Sequence, residues 1–295
     1  MGIFSKDRKD AKWVKPNDAI GAIVPFIMDK RTDSEVSSKV LIDVTKLCEF
    51  VDEQNKNGKL EYKMTYFHAL AAAIGMNVFN RDRLNRFIKN RRLYQRNKIT
   101  FAFVAKDKFS DKGEERLITI DLDPNDNVFD LSHKMAIDVF KARKEGTNDI
   151  DSILKFFTSL PKFVLSIIVS FVKFLDKHGW NPKSITEGDT NYATIILSNL
   201  GSIKTNSCYH HLTEYGTNSI VVTIGTIKEI DGKKTVDIWT TLDERIADGF
   251  YFAKSIGLIQ YIVMHPELLN KKLNTKIEIE NWVFYFFKRN RFLTK

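Results

Sequence analysis

Four short stretches of this 295-residue chain bring together residue types that could do chemistry. In the first, the apolar run Ile195-Ile196-Leu197 ends in Ser198 and Asn199 and then meets a turn at Leu200-Gly201-Ser202. A serine hydroxyl at a strand end could donate to a developing oxyanion, although an ordinary strand-end turn uses the same residues. The second, Leu242-Asp243-Glu244-Arg245-Ile246-Ala247-Asp248-Gly249-Phe250, follows a β-rich run and opens a helix. Polar groups at such a junction are placed to line a site. As a plain helix start, it would leave Asp248 at the favourable positive end of the helix dipole. The third is Tyr209-His210-His211-Leu212. Adjacent histidines point to opposite faces of a strand, or about 100° apart on a helix, which sets them against sharing one metal. No clear further ligand set stands nearby, so no metal is expected, and a single histidine as a proton carrier near neutral pH is the better use. The fourth is the basic run Arg81, Arg83, Arg86, Lys89, Arg91, Arg92, Arg96 and Lys98, with Phe87 and Tyr94 between. It reads as a nucleic-acid surface, a solvated connection, or a site for a phosphate-rich cofactor.

The elements that must position these residues are mixed. A helix is expected over 45–54 with Thr45 as its N-cap, and an alanine-rich helix over 65–80 whose small residues allow close packing on a sheet. Residues 93–106 read as one strand, with Ile99, Phe101, Phe103 and Ala105 on one face, and 115–122 as its neighbour. A helix capped by Asn127 follows over 128–144. Strands are expected over 192–197, 219–227 and 235–242, the last two joined by the hairpin signal Asp231-Gly232. A helix over 247–264 stops near Pro266. The stretch 153–180 is apolar nearly all round and interrupted at Pro161, with Lys155, Lys162, Lys173 and Lys177 along it. Such a helix is usually buried, within the subunit or between subunits. A wall for a long acyl chain and an interfacial membrane contact are the other readings. The fold class is α/β, an α+β two-layer sandwich with a mixed sheet flanked by helices. The parts are an arm over 1–19, a domain over 20–270 and a basic aromatic tail over 271–295.

Composition narrows the partners. Forty-six Lys+Arg against 37 Asp+Glu leave a net charge of +9, and 43% hydrophobic residues exclude a disordered chain. Two cysteines, Cys48 and Cys208, exclude a disulfide scaffold and fit a reducing compartment. The N-terminus lacks the apolar core of a secretory signal, and its Met-Gly start carries Lys6 where a myristoylation motif wants Ser or Thr. No stretch reaches the roughly 20 apolar residues of a membrane span. The expectation is a cytoplasmic protein, with peripheral membrane contact left open. Nucleic acid is set behind the other partners, because no nucleic-acid motif accompanies the charge.

Taken in order, these pieces resemble the catalytic domain of the 2-oxo acid dehydrogenase acyltransferases, whose fold is shared with chloramphenicol acetyltransferase. Ser198 to Gly201 matches the family's Ser-Asn-Leu-Gly strand end, and 222–227 looks like its Ala/Val-x-x-Gly segment. Glu244 to Gly249 matches its His-x-x-x-Asp-Gly loop in all but the first residue, and 66–78 followed by Leu84-Asn85-Arg86-Phe87 resembles its alanine-rich helix and Leu-Asn turn. The resemblance covers roughly 20–269. It implies a homotrimer with active sites between subunits and coenzyme A or acyl-CoA as substrate. It further implies a base that takes a thiol proton, a serine hydroxyl that steadies the oxyanion, and an Asp–Arg ion pair that anchors the loop. Carried over, Ser198 is the oxyanion donor and Asp248 the loop anchor with Arg31 as its partner. Arg92, Arg96, Asn199 and Gly201 are the cofactor-binding candidates.

Two departures bear on function. The position of the catalytic histidine is Glu244, a carboxylate near pKa 4.3 facing a thiol near 8.5. Burial would have to raise Glu244 toward 6–7 for it to serve as a base, or His210 or His211 would supply the base from another direction. The complex-forming relatives carry lipoyl domains upstream, whereas only residues 1–19 precede the resemblance here. The sequence therefore reads as a stand-alone acyltransferase moving an acyl group from a CoA thioester to an acceptor. The alternative is a catalytically lapsed binding or scaffolding protein of the same fold.

Overall fold

The computed structural model describes residues 6–16, 18–106, 115–144, 157 and 159–278. Two sheets organise it. The larger is a seven-stranded mixed sheet in the order β2 (Glu35–Asp43), β10 (Lys233–Asp243), β8 (Ile220–Ile224), β7 (Ile195–Asn199), β5 (Thr100–Lys106) and β6 (Glu115–Asp121), with β9 (Lys228–Ile230) paired to one end of β10. β7 runs parallel to both β5 and β8, and the outer pairs are antiparallel. The smaller sheet joins β1 (Ala11–Trp13), β4 (Arg92–Arg96) and β3 (Arg86–Lys89).

The period-two pattern of the strands decides which face is covered. Phe101, Phe103, Leu197, Val222, Ile238 and Leu242 all point into one core. That core is closed by α2 (Thr45–Lys56), α3 (Tyr66–Asn80), α4 (Val128–Lys144) and α7 (Gly249–Met264). α3 lies at the centre, and its alanines are fully buried, as small side chains allow at a close helix–sheet contact. The two-layer α/β expectation is met, with the helices on one face.

Several elements differ from expectation for identifiable reasons. The strand read over 93–106 is two strands in two sheets. The Asn97 amide donates to the Asp10 carbonyl at 3.0 Å, and the chain changes sheets before Thr100. Thr45 is the first helical residue rather than the cap. Its hydroxyl donates to Asp43 Oδ1 at 2.8 Å and accepts from the Lys234 amide, tying α2 to β10. The N-terminal segment is no loose arm from Arg8 onward. Ala11 is fully buried beside Phe87 and Tyr94, and Arg8 donates to the Asp176 carbonyl at 2.8 Å. Residues 271–278 also pack onto the body, with the Leu273 amide bonded to the Asp126 carbonyl. The remainder of the tail lies outside the described residues.

Of the two burial readings of the apolar helix, burial within the subunit is not met. α5 (Lys162–His178) begins right after Pro161, as the sequence implies, yet Asp176 is its one buried residue. Its C-terminal end is anchored: Asp176 pairs with Lys89 and Arg8, and Gly179 closes the helix in a left-handed conformation. The short α6 (Lys183–Thr186) follows. Among the described residues, no helix is long and apolar enough to cross a membrane.

One buried titratable group sits under the helical layer. His68, in the first turn of α3, lies 2.9 Å from the Ser132 hydroxyl of α4, and burial pushes its pKa down to about 4. The unfolded chain therefore takes up a proton below its ordinary value of about 6.5 that the native state refuses. Stability should fall as the pH drops from about 6.5 toward 4 and this contribution should level off below. A melting series against pH, with His68→Gln as the non-titrating control, checks this: the gap between the two should close across that window.

Candidate active site

The end of β10 is built around a buried carboxylate. Asp243 is fully buried, and Arg245 grips it with two bonds, Nε to Oδ1 at 2.8 Å and Nη2 to Oδ2 at 2.7 Å. The Ser34 hydroxyl donates to Oδ1 at 3.0 Å, and the Arg31 guanidinium stands 3.8 Å away. Burial is the strongest influence on Arg31 and lowers its pKa, with Asp243 and Glu214 opposing. Charges this deep are tolerable only when paired and hydrogen-bonded. The expected pair between Arg31 and Asp248 is thus corrected: Arg31 faces Asp243, one residue before the motif rather than within it. Asp248 caps α7, accepting from the Tyr251 amide at 2.8 Å, and pairs with Arg83 at 3.4 Å.

Arg31 and its neighbours also gather the histidine segment. Arg31 donates to the carbonyls of Thr213 and Gly216, and Glu214 accepts from the amides of Arg31 and Thr32. Glu35, directly across from Asp243 in the β2–β10 register, accepts from the Leu212 amide at 2.5 Å and from the Tyr209 hydroxyl. These bonds bring His210 and His211 to the same sheet end as Glu244. Both rings are exposed and stack on each other at 5.3 Å, with His210 Nδ1 2.8 Å from the His211 carbonyl oxygen. Among the described residues no group of three or more His, Cys, Asp or Glu could hold a metal ion. Glu244 itself is exposed, and makes no hydrogen bond or ion pair among the described residues. Arg245 is spent on Asp243, leaving the Glu244 carboxylate available.

Ser198 lies elsewhere. It sits at the end of β7, partly exposed, level with Thr223 of β8, Trp239 of β10 and Lys39 of β2. This is the sheet face opposite the helices, and residues 207–212 cross it. Asp237 accepts from the amide and hydroxyl of Ser207 at 2.8 and 2.6 Å, Thr223 brackets Cys208, and Tyr209 packs edge-on to Trp239 at 6.4 Å. Gly225 makes the first of these possible, since a Cβ there would lie 2.2 Å from the Asp237 carboxylate. Gly201 is required for a similar reason: its Cβ would fall 2.7 Å from the Gly225 carbonyl. That gives Gly201 a packing reason beside its expected cofactor role. Neighbouring Asn199 is the last residue of β7, and its carbonyl accepts from the Ser202 hydroxyl at 2.7 Å.

Within one chain, Ser198 and Glu244 do not meet. Trp239 is level with Ser198, and Glu244 is five residues further along, or roughly 17 Å at strand spacing, and two strands aside. The basic run does not form a free phosphate cradle either. Arg81 bonds Ser255 and the Tyr251 carbonyl, Arg86 pairs with Asp82, Lys89 with Asp176, Arg91 with Asp29 and Lys98 with Asp121. The cofactor role expected of Arg96 is corrected: it is buried and donates to the Thr217 hydroxyl and the Tyr192 carbonyl, so its function is to bolt the small sheet to the large one. Arg92 remains exposed at the β3–β4 hairpin. A cleft of about 440 Å³ lies beside Arg96 and Ala193, five positions down the chain from Ser198, and its charges are largely paired with one another.

No family model matches the chain, and no curated protein matches it. Solved structures do. A probable dihydrolipoamide acetyltransferase from Listeria monocytogenes aligns over 90% of this chain and 98% of its own, with a TM-score of 0.55 and 14% identity. A chloramphenicol acetyltransferase aligns over 88% and 100%, with a TM-score of 0.54 and 13% identity. A truncated catalytic core of the 2-oxoacid dehydrogenase complex from Thermoplasma acidophilum aligns over 86% and 98%, at 0.55 and 14%. The chain has the chloramphenicol acetyltransferase-like fold, the one these acyltransferase cores share.

Sequence reasoning missed Glu35, Ser34, Asp237 and Asp243. The one available signal was the Asp-x-Arg spacing of Asp243 and Arg245, which flanks Glu244 on both sides. Replacing Asp243 with Asn leaves two buried guanidinium groups undercompensated and should cost about 3–5 kcal/mol. Urea denaturation reads this as a lower midpoint, and amide exchange should quicken across residues 209–216.

Proposed function

We propose that this chain is a stand-alone, coenzyme A-linked acyltransferase whose active site is completed by a second copy of itself. Ser198 comes from one subunit of a trimer and Glu244 from the next. The observation that carries this reading is the separation of the two residues within one chain, on a fold shared with acetyltransferase cores. Each is rigidly mounted, Ser198 on a central strand and Glu244 on the Asp243–Arg245 fork, and each is solvent-accessible in the single chain.

In this reading the neighbouring subunit covers Glu244 and excludes water from it. Glu244 then takes the proton of the acceptor, whose free pair attacks the thioester carbon. The carbonyl oxygen becomes an oxyanion and accepts a hydrogen bond from the Ser198 hydroxyl. Collapse breaks the carbon–sulfur bond, and the departing coenzyme A thiolate takes the proton back from Glu244. Arg92, Asn199 and Gly201 are the remaining cofactor candidates, and His210 or His211 is the alternative proton carrier from the same sheet end.

The lapsed-scaffold reading has its own support: most of the basic run is committed to internal partners, which leaves little free charge for cofactor phosphates. One set of measurements separates the two. Calorimetry with coenzyme A and acyl-CoAs, together with turnover against thiol, amine and hydroxyl acceptors, should show binding and transfer. Ser198→Ala should lower kcat about 100-fold, and Glu244→Gln should lower it by about 100-fold or more by removing the base. Mixing the two variants with subunit exchange should restore part of the activity, because one of the three interfaces in each mixed trimer regains both residues. Absence of both binding and turnover would leave the scaffold.

A further inference from the structure

The apolar surface of α5 has no counterpart in the proposed chemistry, and its arrangement is specific. Phe163, Ile167, Phe171 and Phe174 recur at helical spacing along one side. Each is between 50 and 69% exposed, and Trp180 just beyond the helix is 58% exposed. Lys162, Ser166, Lys173 and Lys177 follow one flank of that side. The one acid of the helix, Asp176, is buried against Lys89 and Arg8, so the charge that α5 shows to solvent is positive.

A second stripe lies close by. The helix α1 (Ala19–Ile27) exposes Ile20, Ile23, Phe26 and Ile27 and contains no charged residue. The β3–β4 hairpin links the two helices. Lys89 on its first strand holds the C-terminal end of α5, while Arg91 at its turn bonds Asp29 at 3.0 Å and lies over the Phe26 ring at 5.4 Å. The result is two exposed apolar stripes bracketing a basic turn.

We propose that this face is an anionic membrane-docking surface, with α5 lying in the interface rather than crossing the bilayer. A wide apolar side rich in Phe, lysines on the polar side and a Trp near one end are the features of an interfacial helix. The lysine stems can lie along the acyl boundary while their ammonium groups reach the headgroups. A second copy of the chain is the poorer occupant. Protein interfaces are depleted in lysine, and the copies would bring like charge toward like charge on a chain of net charge +9. Apolar exposure on this scale in a single chain marks an interaction site. The proposal uses none of the residues assigned to acyl transfer and stands or falls apart from it.

The experiment is co-sedimentation of the full chain with vesicles of phosphatidylcholine containing about one-third phosphatidylglycerol, against pure phosphatidylcholine, at low and high salt. Binding should require the anionic lipid and weaken with salt. The double substitution Ile167→Glu with Phe171→Glu should lower partitioning more than tenfold. Lys173→Glu with Lys177→Glu should lower it by about fivefold or more for each residue, from roughly 1 kcal/mol per basic residue at the surface. All these positions are exposed, and an unchanged circular dichroism spectrum verifies folding. Absence of binding to the anionic vesicles overturns the proposal, as does equal binding to neutral ones. So does a result in which the substitutions alter the sedimentation mass of the protein and leave vesicle binding unchanged, since the face would then be a contact between copies.

Discussion

The buried Asp243 carboxylate is the interaction on which the rest of the site depends. It sits where β10 ends, where β2 begins and where the histidine segment returns to the sheet. Arg245 satisfies it in a bidentate fork, the geometry for which a guanidinium is suited, and Arg31 adds a second positive charge while holding the carbonyls of Thr213 and Gly216. Three chain segments are thereby fixed by one anion. Because the anion is saturated from below, the next residue, Glu244, is presented outward without an internal partner.

That arrangement also sets Ser198 and Glu244 apart within one chain. Ser198 belongs to the parallel heart of the sheet, where β7 is hydrogen-bonded on both sides. Glu244 belongs to the far end of an antiparallel strand two positions over. Strand spacing is not adjustable by side-chain choice, so within one chain the two do not face one reacting atom. The basic run serves the same framework. Arg83 restrains the Asp248 cap, Arg96 joins the two sheets and Lys89 pins α5, which turns most of a conspicuous charge cluster into structural cement.

The exposed face at α1 and α5 follows a different logic. A helix whose one buried residue is Asp176 contributes little to the core. Leaving Phe163, Ile167, Phe171 and Phe174 in water has a cost of the order of the transfer energy of each side chain, which a covering surface would remove. The exposed charged residues of the same helix are lysines, its one acid being buried, so charge and apolarity select the same kind of partner.

Much of the architecture was legible in the residues. Alternation identified the pair β5 and β6, the runs at β7, β8 and β10 read as strands, and Asn127 marked a helix start, because these signals arise from backbone geometry within a few residues; the Asp231-Gly232 turn joins β9 to β10 rather than β8 to β10. The order of motifs was enough to name the fold, since collinearity survives where identity to solved structures is only 13–14%. What the sequence could not decide were relations between distant segments. Whether Arg31 meets Asp243 or Asp248, whether Arg96 is a ligand or a bolt, and whether an apolar helix is covered or bare all depend on which surfaces the chain brings together. A hydrogen bond or a burial is a property of a pair, and the two members here are separated by tens to hundreds of residues. The sequence by itself determined the strands, the helices and the residues able to do chemistry; only the tertiary structure decided which charges neutralise one another and which are left facing outward.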